Sequence, residues 1–264
     1  MSSAQKTIKY VAIAFAIFLI VGIFSAIASL GLGIFKAFGA ISDSTVSKMD
    51  HSKYSSYIDI NLKYSNLKLV RSNYLKVDNS NDKVNVKIDN NKLEITDSSS
   101  LFSSNKDKEL IVYVPSDYMF EMVYINSGAG KINIEGFNTK ELKMDLGAGE
   151  AIVSNVISNK TDIDTGTGRV DIHNSKLNDA KLDLGIGSIS IGDEITGNCK
   201  INSGIGRVEL NLSGSEEDYS FDIDKGIGDI SLNNRSLSDG TKTGNGRNSI
   251  EIDGGIGSID IKTK

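Results

Sequence analysis

The chain has one cysteine, one proline, two histidines and no tryptophan in 264 residues. A single thiol excludes a disulfide-stapled scaffold and a thiolate zinc site, and two imidazoles leave little material for histidine-based catalysis or a histidine-rich metal centre. Positive charge is not in excess either. The 29 basic side chains stand against 34 acidic ones, a formal net charge of −5, which is not the electrostatic footprint of a nucleic-acid binder. At 39% hydrophobic residues the chain is too apolar to stay disordered. Its 26 glycines do not recur every third residue, which excludes collagen, and with so little proline they mark tight corners between strands.

One long apolar run is present. Tyr10 to Phe35 carries no charge over 26 residues. As a helix it would span roughly 39 Å, more than the roughly 30 Å of hydrocarbon in a bilayer. It reads as a transmembrane helix, a signal anchor over 10–35, with a short tail at 1–9 and a juxtamembrane linker at 36–55. A cleaved signal peptide is the competing reading, with Ala26-Ile27-Ala28 as the small-residue site, although cleavage there would leave the apolar stretch from Ser29 to Ile41 behind. Lys6 and Lys9 with the free amino group face Lys36 and Lys48 across the span. This weak bias puts the tail inside and the remainder outside the cytoplasm. Ser25, Ser29 and Gly33 form a small-residue stripe that would let two helices approach, a pattern that an Ala- and Gly-rich span also produces by composition alone.

Beyond the linker no apolar 3.6-residue period lasts more than two turns, so residues 56–264 read as all-β. In a lead-in over 56–121, strand alternation appears at Tyr57–Leu62, Asn66–Leu69, Val84–Ile88 and Leu93–Ile95. Turns at Asn79–Asp82 and Asp89–Asn91 separate them, a polar loop runs from Ser98 to Lys108, and Pro115 closes the strand begun at Glu109.

From 122 to 264 the chain repeats itself. A Gly-x-Gly tripeptide starts at Gly128, Gly147, Gly166, Gly185 and Gly204, each 19 residues after the last, and returns at wider or narrower steps at Gly226, Gly244 and Gly255. The corner glycines are thus Gly128 and Gly130, Gly147 and Gly149, Gly166 and Gly168, Gly185 and Gly187, Gly204 and Gly206, and Gly226 and Gly228. Three and five residues before each corner stand apolar or small side chains such as Leu142 and Met144 or Cys199 and Ile201. Alternation resumes after it, as in Ala151/Val153 and Val208/Leu210. Each unit therefore holds two short strands joined at a glycine corner, with Ala148, Ile186 or Ile205 as an apolar plug between the glycines. Such a unit cannot bury its own apolar face. Stacked at about 4.8 Å, successive units make a continuous core, a β-solenoid of the right-handed parallel β-helix type. A propeller or sandwich is the alternative, but blades need about 40 residues and sandwiches keep no 19-residue register.

The segments VYINSGAGKINIEGFNTKELKMDLGAGEAIV and CKINSGIGRVEL, with the strand-rich lead-in and the apolar span, resemble the putative adhesin family of bacterial surface proteins, also called toast-rack domains. The resemblance covers about residues 55 to 264. It implies an exported, membrane-tethered β-solenoid, and the family offers no catalytic residues to carry over.

The candidate chemistry is sparse. None of the Gly-x-Gly copies extends to the dinucleotide fingerprint or opens a helix. Calcium β-rolls need Asp two residues after the tripeptide, where this chain carries Ile132, Ala151, Val170 and Ile189. A different column is acidic: two residues before successive corners stand Asn126, Asp145, Asp164, Asp183, Asn202 and Asp224, expected to point outward about one rung apart. Like charges so placed repel, and either a bound divalent cation or neighbouring Lys143, Lys181 and Lys200 would relieve them. Asp162, Asp164, Asp171 and Asp183 with Lys181 would be the material for a polysaccharide-cleaving groove. Cys199 shares an inward column with Leu142 and reads as a small buried hydrophobe, His173 as a solvated corner residue, and His51 lies in the linker.

The expectation is a non-enzymatic, membrane-anchored surface module without a cofactor. It would bind a protein or a cell-surface polymer and no nucleic acid. An envelope-stress or signalling accessory acting through membrane partners is the alternative, and a cytoplasmic membrane-bound scaffold is a further one. The strand signature Gly255 to Ile261 is followed by Lys262, Thr263 and Lys264 with no visible cap. Either the short step after Gly244 folds a strand across the end, or the lysines guard an open edge that associates weakly with other copies.

Overall fold

The computed structural model describes residues 55–79, 83–89, 91–98 and 109–264. The apolar span, its tail, nearly all of the linker and His51 lie outside the described residues. Among the described residues no helix is long and apolar enough to cross a membrane.

The strands form one 15-stranded sheet. They are β1 (Tyr57–Leu62), β2 (Asn66–Ser72), β3 (Lys76–Asn79), β4 (Val84–Asp89), β5 (Lys92–Asp97), β6 (Glu109–Pro115), β7 (Met119–Glu135), β8 (Asn138–Ser154), β9 (Ile157–Asn178), β10 (Ala180–Thr196), β11 (Asn198–Asn211), β12 (Tyr219–Leu232), β13 (Arg235–Ser236), β14 (Thr241–Thr243) and β15 (Asn248–Lys262). From β7 to β11 each strand lies parallel to the next and in register, 19 residues apart: Val123 on Leu142, Met144 on Ile163, Leu182 on Ile201. Period-2 alternation puts one set of side chains inward at every level, and these merge into a single core from Ile58 to Ile261.

Each repeat has three sides rather than the two strands the alternation suggested. In one turn of chain the inward positions are Leu142 and Met144, then Ala151 and Val153, then Val156 and Ser158, all buried, and Thr161 and Ile163 begin the next turn on top of Leu142 and Met144. The alternation slips between each set, which is where the chain bends. One bend is the Gly-x-Gly corner. A second falls eight residues after the first corner glycine, at Gly136, Asn155 and Asn174, all in the left-handed region with φ of 68°, 55° and 52°. Two buried hydroxyls are satisfied locally: Thr139 Oγ1 donates to Glu141 O at 2.8 Å and Ser158 Oγ to Lys160 O at 2.7 Å.

The central corner residues are not interior plugs. Ile186 and Ile227 are exposed at 41% and 39%, because the flanking backbones are too close for a side chain to turn inward. Gly187 illustrates the constraint: at φ +146° a Cβ there would overlap Gly168 O and lie 2.8 Å from its carbonyl carbon.

The order of levels departs from the order of the sequence at both ends. The last strand, β15, lies between β11 and β12, parallel to both. Gly257 therefore stands between Gly206 and Gly228, whereas Gly244 forms no corner and belongs to the loop before β15. Lys262 and Lys264 guard no open edge. Lys262 pairs with Asn211 inside the sheet, and the terminal strand β12 is covered by antiparallel β14 on Phe221–Ile223 and β13 on Ser231–Leu232. Neither form of the expectation is met: the end is covered, but by β13 and β14, which precede Gly244, while the segment after Gly244 runs inside the sheet as β15.

At the opposite end β1 and β2 pair with the two halves of β7, and β5 and β6 lie outside them, so the irregular lead-in continues the same stack. β4 and β3 cover that end antiparallel. The corner between β1 and β2 has no glycine. There the carboxylate of Asp97, buried at 1%, accepts hydrogen bonds from Lys63 N, Tyr64 N and Ser65 Oγ, replacing backbone freedom with a charged acceptor.

Candidate functional site

The long side of each level, just before the glycine corner, carries two outward ladders. The first runs Asn61, Asn126, Asp145, Asp164, Asp183, Asn202, Asp253, Asp224 in spatial order. Asp253 is a member that the sequence column did not include. It stands two residues before Gly255, as the column requires, but the swapped order of β15 and β12 places it between Asn202 and Asp224. Its neighbour ladder runs Asp59, Tyr124, Lys143, Asp162, Lys181, Lys200, Glu251, Asp222.

The ladders neutralise each other. Tyr124 Oη donates to Asp145 Oδ2 at 2.7 Å, and burial together with that bond pushes the phenol pKa up. Lys200 Nζ reaches Glu251 at 2.5 Å and Asp253 at 3.2 Å, and Lys92 bridges Asp59 at 2.5 Å. Asp183 accepts from Lys181 Nζ and Asn202 Nδ2. Burial pushes the Asp183 carboxyl upward, but these donors outweigh it and hold the group below the ordinary carboxylate range. Asp164, one level away, goes the other way. Burial first, then its hydrogen bond to Asp183 and repulsion from Asp162 and Asp183, raise it to about 6. Below about pH 6 the pair therefore tends to hold one proton, with Asp164 the weaker acid of the two.

Asp164 binds its proton more tightly folded than unfolded. That contribution to stability is complete below about pH 4, the unfolded value, and is lost as pH rises through about 6. Asp164→Asn, which stays neutral, is expected to raise the Tm at pH 7.5 by about 2–4 °C, about 1 kcal/mol for a half-buried group, and to change little at pH 4. Thermal unfolding at both pH values checks this; an equal shift at both would refute the shared proton.

Among the described residues no three His, Cys, Asp or Glu side chains form a group that could hold a metal ion. Lys143, Lys181 and Lys200 each stand beside a carboxylate of the column: Asp145, Asp183 and Asp253. The carboxylates considered for a cleaving groove divide between two sides: Asp162, Asp164 and Asp183 share the ladders, while Asp171 lies past the corner beside His173, whose Nδ1 is 3.6 Å from it and which is 43% exposed. Cys199 is buried at 2%, and burial pushes its thiol up to about 12. Past the corner, the next side presents small and charged groups in rows, among them Ser188, Ser190, Arg207, Glu209, Ser258 and Asp260. Ile186, Ile205, Ile256 and Ile227 form a ridge between the two sides. The clearest depression at the covered end is open and lined by Asp224, Lys225, Asp239 and Asp253 with Gly226 and Gly254.

A family model described as Toastrack DUF4097 matches residues 53–262, the whole of this stack. The chain belongs to the Toastrack DUF4097 family. A crystal structure of a protein from Clostridium sporogenes ATCC 15579, described as a putative cell adhesion protein, is similar at 16% identity and a TM-score of 0.39, covering 83% of this chain and 97% of that one. No curated protein matches the chain. The matched Toastrack region starts two residues before the first described residue and ends with β15, so corners, ladders and both covered ends all fall within it.

Proposed function

We propose that this Toastrack chain is a non-enzymatic surface module that works without a cofactor. Tyr10–Phe35 anchors it in the cell membrane, and the stack, a right-handed coil by the handedness rule for parallel crossovers, stands outside the cytoplasm. It binds an extended polymer or a flat protein surface through its outward rows. The observation that carries this reading is the register. Polar and charged side chains stand outward at every level, about 4.8 Å apart, so an extended partner meets a contact at each level and gains by multivalency. Weak homo-association belongs to the same reading.

Protease treatment of intact cells making the full chain tests it. Loss of the stack, with a cytosolic control intact, is the expected result. A protected stack would overturn both the orientation and the surface role.

A further inference from the structure

The unusual element of this fold is the position of β15. It follows β12 in the chain, yet β12 stands one strand away from β11, leaving a slot that β15 fills. Both walls of the slot match it along its whole length, from Asn198–Ser249 to Asn211–Lys262 on one side and from Tyr219–Asn248 to Leu232–Ile261 on the other. Inside, Ile252 lies between Ile201 and Ile223, and Ile259 between Val208 and Ile230, all buried. At the corner Gly257 lies between Gly206 and Gly228, and only glycine fits: a Cβ on Gly257 would overlap Gly206 O, and one on Gly228 would overlap Gly257 O. The slot therefore selects a strand by a definite signature, alternating isoleucines around a glycine corner.

The slot is separate from its occupant in the chain. Its first wall, β11, precedes β12 through residues 212–218, and β15 joins β14 only through Gly244–Arg247, a mostly exposed linker with Gly244 at φ +81° that is held to the start of β12 by one hydrogen bond, Gly246 N–H donating to Tyr219 O at 3.0 Å. Nothing in the pairing distinguishes this chain's own β15 from that of another copy, since every contact of the strand lies beyond the linker. A monomer and an exchanged pair share all slot contacts and differ in the linker alone, the condition under which strand exchange is a low-cost route to association. We propose that the slot between β11 and β12 is a strand-acceptor site that takes β15 from a second copy of this chain. This differs from edge-to-edge stacking, because both ends of the sheet carry covering strands.

The test uses the full chain and a labelled synthetic peptide of residues 248–264. In a full chain carrying Gly257→Ala the resident strand is strained at the corner, so that chain should capture the unmodified peptide about tenfold more than the unaltered chain does, or better. The same peptide carrying Gly257→Ala should not be captured by either. Because the variant chain itself has to fold, a second measurement uses unstrained copies. One tagged chain carries Ser231→Cys and a differently tagged one Asp260→Cys, positions in register across the slot whose native side chains hydrogen-bond at 2.6 Å. After mixing at high concentration, a disulfide between the two tags forms only if β15 has crossed between copies; the double variant in one chain shows that the pair can close. Capture indifferent to the Gly257→Ala change in the peptide, or closure in the double variant with no disulfide between copies, would overturn the proposal.

Discussion

Gly187→Ala is expected to destabilise the stack by about 4 kcal/mol, combining backbone strain with overpacking against a wall that cannot move. The methyl would sit on a residue at φ +146° and overlap the carbonyl of Gly168, itself held in the ladder one level away. Relief would require parting β9 from β10 in the middle of the stack, where each level depends on its neighbours. Gly192→Ala is the control. It lies five residues further along the same strand without a positive φ, and nothing stands within 4 Å of a Cβ there, so its expected cost is within about 0.5 kcal/mol. Urea unfolding of both variants decides the matter. Equal midpoints would show that the corner glycines are there for some reason other than close approach.

Ile252→Ala should cost about 3 kcal/mol through lost burial and the cavity left behind, and the pattern of damage matters more than its size. Because β15 lies between β11 and β12, loosening it should release the last level and its cover together. Amide exchange at Phe221, Ile223 and Ile230 should rise along with that of β15, while β8 stays protected. Were the levels stacked in sequence order, β12 would keep its protection and only the last strand would fray. Exchange measured on the variant therefore discriminates the two arrangements directly.

The all-β class, the unit length, the inward columns and the corner glycines were legible in the sequence because each rests on local chemistry repeated many times. Alternation is a property of the pleat, and a glycine where two backbones touch has no substitute. The second bend was legible in principle, since Gly136, Asn155 and Asn174 keep the same 19-residue step and share a tolerance for the left-handed region. It was obscured by the buried polar residues Thr139, Ser158 and Ser175 around it, which look outward in a hydropathy pattern but hydrogen-bond to the bends. The ladders were partly legible. Their residues are periodic, but that the carboxyl of Asp164 is pushed up while that of Asp183 is held down depends on partial burial and on Lys181 and Asn202 converging on one carboxylate.

Levels of about 19 residues with an apolar inside, a charged outside and glycine at the corner are written into the chain residue by residue, because those features follow from the pleat and from steric contact between like neighbours. The order in which the levels stack is set by long-range packing. β12 and β15 carry the same Gly-x-Gly corner and apolar side chains in the same inward columns, Phe221, Ile223, Ile230 and Leu232 on one and Ile250, Ile252, Ile259 and Ile261 on the other. The choice comes from the ends: the segment after β12 folds back as β13 and β14 to cover its outer edge, and with that edge occupied the remaining strand has its backbone groups satisfied on both sides only in the gap beside β11.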